Sequence, residues 1–120
     1  EADLYLFDEP SAHLDSNARM EAAKAIRRTM ESNEKAAMVI DHDTYFLDIV
    51  SDSILVFQGE GGNNGQAVGP LSLRKGMNLF LSDADVTFRR DVESHRPRIN
   101  KPLSRKDREQ KATGEYFYSD

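Results

Sequence analysis

Two adjacent carboxylates, Asp8 and Glu9, close the apolar run Leu4-Tyr5-Leu6-Phe7 and are followed at once by Pro10. A continuous apolar run reads as a strand buried on both faces, as in parallel sheets. The proline has no N–H for a ladder and stops that strand. Asp8 and Glu9 therefore stand at the carboxyl end of a strand, where open α/β sheets place their ligands. Neighbouring strand side chains point in opposite directions, so the two acids can do different work. One can hold Mg²⁺, directly or through water, and the other can polarise an attacking water. A second apolar run, Met38-Val39-Ile40, ends in Asp41-His42-Asp43. A histidine at such a strand end can donate a hydrogen bond to a bound anionic oxygen. Each piece has a plainer reading, an acid pair in solvent and a satisfied structural histidine, and gains weight only from the others.

The elements that must hold these groups follow from pattern. Residues 3–8 read as the first strand. Residues 17–32 read as a helix capped by Asp15 or Ser16, with Met20, Ala23, Ile26 or Arg27, and Met30 at helical spacing. That stripe is core, with no chemistry assigned to it. Residues 36–41 form the second strand. Asp43 caps a short helix to about Val50 that turns Phe46, Leu47 and Val50 inward, and 53–58 form a third strand. Strand and helix alternating through short links predict a parallel α/β arrangement. The Gly- and Asn-rich 59–65 segment is a hairpin tip rather than a phosphate loop, since neither a helix N-terminus nor Lys-Ser/Thr follows it. Residues 66–69 return as a short edge strand ended by Pro70. Residues 72–82 read as a helix with Leu73, Met77, Phe80 and Leu81 on one side.

The remainder is different in kind. Residues 1–85 carry seven basic against fifteen acidic side chains, and residues 86–120 nine against six. An acidic body thus gives way to a basic tail, and we expect a domain boundary there, 1–85 and 86–120. Val86 to Asp91 is short and extended. Arg96-Pro97-Arg98-Ile99-Asn100-Lys101-Pro102 is basic and fixed by prolines. Residues 103–113 suit a helix with Ser104 as cap and Gly114 as stop, before Tyr116-Phe117-Tyr118. Arg89, Arg90, Arg96, Arg98 and Lys101 are candidate phosphate contacts, or else pair with the acidic body. Cysteine is absent, which removes disulfides and thiolate metal sites and fits a cytoplasmic protein. No apolar stretch is long enough for a membrane span, and no secretory leader is recognisable. The chain starts at Glu1 rather than Met, and we expect a fragment.

Apolar strand-Asp8-Glu9-Pro10, then Ser11-Ala12-His13-Leu14-Asp15, then strand-Asp41-His42-Asp43 resembles the second half of an ABC-type nucleotide-binding domain: Walker B, D-loop and switch histidine. The fold implied is α/β, the C-terminal half of a P-loop NTPase domain with mostly parallel strands, followed by a basic hinge or tail. The resemblance assigns Asp8 to Mg²⁺, Glu9 to water activation, His42 to the γ-phosphate and Asp15 to the D-loop acid, which faces the other nucleotide-binding domain. Farther on, Gly76-Met77-Asn78 with Phe80-Leu81, Thr87-Phe88-Arg89-Arg90-Asp91, Arg96 to Lys101, and Lys111 with Gly114, Tyr116 and Phe117 resemble the C-terminus of the RNase L inhibitor family, subfamily E of the ABC proteins. That resemblance implies a soluble ATPase with two nucleotide-binding domains, using ATP and Mg²⁺ to split ribosomes into subunits. Its implied partners are the small ribosomal subunit, with its rRNA and proteins, and termination factors. The arginines of the tail belong, on this reading, to a hinge that also reaches rRNA. The family's iron–sulfur clusters lie in an N-terminal domain, and no ligand for them occurs in this chain.

Gly-x-x-x-x-Gly-Lys-Ser/Thr and the Ser-Gly-Gly signature are absent from the 120 residues, so the piece by itself is expected to be inactive and marginally stable. Two other readings compete: a generic soluble or transporter-coupled ABC ATPase domain with a regulatory strap, and a non-enzymatic RNA- or ribosome-binding module that acts through its basic tail.

Overall fold

The structure, a computed structural model, describes residues 1–117; Tyr118 of the terminal aromatic trio lies outside them. The chain divides into two compact units, Glu1–Ser51 and Asp52–Asp120.

The first unit holds β1 (Leu4–Asp8), α1 (Ser16–Ser32), β2 (Ala36–Ile40) and α2 (Thr44–Val50). β1 and β2 pair in parallel, Leu4 opposite Ala36 through Asp8 opposite Ile40. Asp15 caps α1 by accepting from the Ala18 N–H at 2.8 Å. Asp43 caps α2 by accepting from the Phe46 N–H at 2.7 Å. These caps satisfy amides that the helices leave unpaired. α1 packs on α2 with Ala23 and Phe46 fully buried. At the edge of that contact the Tyr45 hydroxyl lies 3.3 Å from the Met20 sulfur, and the Arg27 guanidinium donates to the Ile49 carbonyl at 3.3 Å. The helical stripe read from the sequence is the one that packs.

The two strands depart from expectation. They read as buried on both faces, yet Leu6 is 72% and Ile40 60% exposed, and Leu4 and Met38 are also exposed. Apolar content reports what a strand can bury, and no described element of this unit covers those faces.

The second unit holds β3 (Ser53–Glu60), β4 (Asn64–Ser72), α3 (Leu73–Ala84), β5 (Phe88–Arg90), β6 (Pro97–Ile99) and α4 (Arg105–Thr113). β3 and β4 form an antiparallel hairpin with its tip in the Gly- and Asn-rich segment. The expectation of mostly parallel strands therefore holds for β1–β2 alone; β3–β4 and β5–β6 are antiparallel. The β3–β4 pairing is the hairpin read from the Gly- and Asn-rich 59–65 link, whereas periodicity alone gave no direction for β5 and β6. β4 also continues through Pro70, where the sequence predicted an end. The ladder shifts between Ile54 and Val56, so Gly69 and Pro70 fall out of register and the missing N–H breaks no bond.

α3 packs on this hairpin with Gly76, Met77 and Leu81 buried. Phe80, expected inward, is 39% exposed, while Gly76 takes the inward place against Ile54. Asp85 ends α3 in left-handed backbone, φ 55°, with its N–H on the Leu81 and Ser82 carbonyls.

The tail folds as a hairpin and a helix. β5 and β6 pair antiparallel, Phe88 opposite Ile99 and Arg89 opposite Arg98. α4 begins at the Ser104 cap and stops at Gly114, φ 75°, as its sequence demands. Phe88 and Phe117 are buried and bridged, but most of this core is polar. Thr87, Asn100, Asp107 and Gln110 are all buried. The Thr87 hydroxyl donates to Asp107 Oδ1 and accepts from Asn100 Nδ2 at 3.0 Å. Asn100 Nδ2 also donates to Gln110 Oε1, and Gln110 Nε2 donates to the Phe88 carbonyl at 2.8 Å and the Glu115 carbonyl at 3.0 Å. Asp107 Oδ2 accepts from the Leu103 N–H at 3.1 Å and from Lys111 Nζ at 3.3 Å. A buried network of this kind is tolerated because its members satisfy one another. The Thr87 hydroxyl, more than the opposing effect of burial, holds the Asp107 carboxyl below its ordinary range, with the Leu103 N–H and Lys111 adding to it.

Candidate active site

The parallel register puts the ends of β1 and β2 side by side. Asp8 is the last residue of β1 and is exposed there. Glu9 follows in left-handed backbone, φ 47°, and its N–H donates to the Ile40 carbonyl at 2.7 Å. A non-glycine residue in that region costs of order 1–3 kcal/mol and persists where its surroundings enforce it. Glu9 Oε1 lies 3.6 Å from His42 Nδ1, with the two side chains 54% and 77% exposed. The sequence placed these two groups on adjacent strand ends, and the structure brings them together, open to a ligand.

Behind this pair lies a second set that the sequence reading did not single out. Asp41 accepts from the Ser11 hydroxyl at 2.7 Å and the Ser11 N–H at 3.1 Å. It also accepts from the N–H groups of His42 at 2.8 Å and Asp43 at 3.0 Å. Burial raises the Asp41 carboxyl, but these donors, led by the Asp43 N–H, together hold it below its ordinary value. Ser11 is buried at 2% exposure. Arg19 of α1 spans the same loops, donating to the Ser11 carbonyl at 3.2 Å and pairing with Asp43 at 2.7 Å. Ser11 and Asp41 are thirty positions apart, so no local periodicity links them. The available signal was compositional, a small hydroxyl after one strand and acids flanking the histidine after the other.

Asp15 is engaged as the α1 cap, with its side chain on the Ala18 N–H. His13 stands in left-handed backbone, φ 65°, and is exposed. As a donor set for Mg²⁺, exposed carboxylates at one strand end fit, since this ion takes one or two carboxylates and completes its shell with phosphate and water. Among the described residues no group of three or more His, Cys, Asp or Glu side chains that could hold a metal ion occurs.

The tail brings Arg89, Arg90, Arg96 and Arg98 onto one hairpin, with Lys101 just beyond it. Arg89 and Arg98 face each other across β5–β6. Like charges so placed repel, and each is drawn to a local acceptor. Arg89 donates to Asn100 Oδ1 at 3.0 Å and the Ile99 carbonyl at 3.3 Å. Arg98 lies 3.5 Å from Asp91, whose carboxyl is lowered chiefly by the N–H and hydroxyl of Ser94. Arg90 donates to the His95 carbonyl at 2.7 Å, Arg96 is half-buried and Lys101 is exposed.

Two parallel strands ending in Asp-Glu and Asp-His-Asp, joined by a helix that Asp15 caps, are the arrangement expected for the C-terminal part of an ABC-type nucleotide-binding domain. No protein-family model matches the chain. A translation initiation factor of Saccharomyces cerevisiae, RLI1, is 48% identical over 119 residues, 99% of this chain and 20% of the relative. An ABC transporter ATP-binding protein of Methanocaldococcus jannaschii is 48% identical over all 120 residues, again 20% of the relative. Among solved structures, an RNase-L inhibitor superposes with TM-score 0.92 and 52% identity over the whole chain, 23% of its own. The archaeal ribosome recycling factor aABCE1, in complex with the ribosomal stalk protein aP1, superposes with TM-score 0.91 and 53% identity over 98% of this chain and 23% of its own. The chain is thus homologous over its full length to the RNase L inhibitor family, ABCE1 and RLI1, and spans about a fifth of the length of the curated relatives it matches.

Proposed function

We propose that this chain is part of an ATP-hydrolysing ABC protein that separates ribosomes into subunits in the cytoplasm. Its place there is the closing part of one nucleotide-binding domain, with residues 86–120 as a hinge. The carrying observation is that similarity to a protein described as a ribosome recycling factor runs through the tail as well as the ATPase motifs.

In this mechanism Glu9 accepts a proton from the attacking water, and its exposure leaves room for that water. His42, beside it, donates to the γ-phosphate and distinguishes ATP from ADP. Asp8 supports the Mg²⁺ shell. Bound Mg-ATP supplies the phosphoryl group and neutralises charge on it. Asp15 fixes the D-loop that faces the other nucleotide-binding domain of the same protein. Arg89, Arg90, Arg96, Arg98 and Lys101 form the hinge surface toward that domain and rRNA, with the small subunit and termination factors as partners. Iron–sulfur clusters belong to the whole protein and not to these residues.

The test uses the full-length protein with Glu9→Gln, sedimented with small ribosomal subunits in ATP and in ADP. Accumulation on the subunit in ATP alone is the expected result. Equal weak pelleting in both nucleotides would refute the recycling reading and leave an ABC ATPase domain with a basic tail.

A further inference from the structure

We infer that Ser11, Asp41, Arg19 and Asp43 form a latch that positions His42 against Glu9, so that the loop after β1 and the switch histidine move as one body. The inference rests on the proposed hydrolytic role of Glu9 and His42, and adds positioning residues to it.

The argument is geometric. His42 is 77% exposed and its ring contacts Glu9 at 3.6 Å, so its position must come from its backbone. That backbone is held from both sides. The His42 N–H and the Asp43 N–H both donate to Asp41 Oδ1. The same carboxylate takes the hydroxyl and N–H of Ser11, two residues after Glu9. Arg19 closes the ring from α1, with one nitrogen on the Ser11 carbonyl and another on the Asp43 carboxylate. Asp43 in turn caps α2 through the Phe46 N–H. Two loops from the ends of two strands, and the starts of two helices, thus meet on one buried serine. A carboxylate that accepts four bonds, with its serine partner 2% exposed, is a rigid joint rather than a surface contact. Displacing the segment from Ser11 to Asp15 must either carry His42 with it or break charge-assisted bonds.

The experiment is ATP hydrolysis by the full-length protein carrying Ser11→Ala, Asp41→Asn, both together, Arg19→Gln, or Glu9→Gln. Turnover is normalised to ATP bound at saturation, so loss of folded protein does not register as loss of rate. The latch predicts that Ser11→Ala and Asp41→Asn each lower kcat about tenfold and leave KM within about twofold. The double variant falls no further than the worse single one, because both remove the same joint. Unchanged kcat, a rise in KM alone, or additive losses would overturn the latch. If Ser11→Ala or Asp41→Asn does not fold, Arg19→Gln decides, since its side chain is 37% exposed and its removal spares the buried serine: a fall of about threefold in kcat supports the latch and wild-type kcat overturns it. Glu9→Gln separates the two levels. Wild-type turnover there would remove the catalytic reading itself, whereas abolished turnover with intact latch variants would remove only the latch.

Discussion

Replacing Asn100 by leucine tests whether the polar core holds the tail. The side chain is 3% exposed. Its amide nitrogen serves Thr87 Oγ1 and Gln110 Oε1, and its oxygen serves Arg89. Leucine is similar in volume, so little cavity forms. Thr87 keeps its bond to Asp107, and Arg89 is partly hydrated and keeps the Ile99 carbonyl. The principal loss is Gln110 Oε1, left buried without its donor, which costs about 1–3 kcal/mol. Taking about 2 kcal/mol, opening of the tail becomes roughly thirtyfold more frequent. Native-state hydrogen exchange reads this directly. The reporters are the amides of Phe88, which donates to the Tyr116 carbonyl, and of residue 100, which donates to the Thr87 carbonyl. Both should lose protection by about that factor, while amides of β1 and β2 stay unchanged. A change below about threefold at Phe88 would show that the network is not what closes the tail.

Other perturbations address other joints. Gly76→Ala sets a Cβ 2.6 Å from Ile54 Cβ; the overpacking, about 1–3 kcal/mol, should exceed the gain in helix propensity of about 1 kcal/mol and lower the melting temperature. The Asp107 carboxyl is depressed on folding by Thr87 and its other donors, so its contribution is fully present above the unfolded carboxylate range and is lost as pH falls through the lower folded value. Tail protection should therefore be level from pH 7 to 5 and decline below about pH 4, and Asp107→Asn should flatten that decline. The 120 residues alone should show no saturable ATP hydrolysis, because no phosphate cradle occurs in them; measurable turnover would refute this. The exposed faces carrying Leu6 and Ile40 should drive concentration-dependent association of the isolated chain in sedimentation velocity, and Leu6→Glu with Ile40→Lys should reduce it.

Elements set by local chemistry were legible. Asp15, Asp43, Ser104 and Gly114 are short-range signals, and each sits where its sequence context requires. The meeting of Glu9 with His42 was legible because parallel strands end together. What escaped was long-range and polar. Asp41 and Asn100 owe their importance to partners far away in sequence, Ser11 and Gln110 among them. An isolated asparagine or aspartate in a polar stretch looks like solvated loop, and only the fold shows that its neighbours exclude water. The β3–β4 hairpin was legible too, because the Gly- and Asn-rich link after Phe57 marks its tip; the pairing of β5 with β6 was not, since nothing between Asp91 and Arg96 signals a hairpin turn.

The polar core of the tail has a thermal consequence. Opening an apolar core hydrates oily surface and raises the heat capacity steeply, which bends stability into a dome against temperature. Opening this tail exposes amides, a hydroxyl and a carboxylate along with Phe88 and Phe117, and polar exposure lowers the heat capacity. The two contributions oppose each other, so the free energy of tail release bends less with temperature than that of an apolar core of the same size. A tail closed this way loses less of its hold in the cold than one sealed by hydrocarbon.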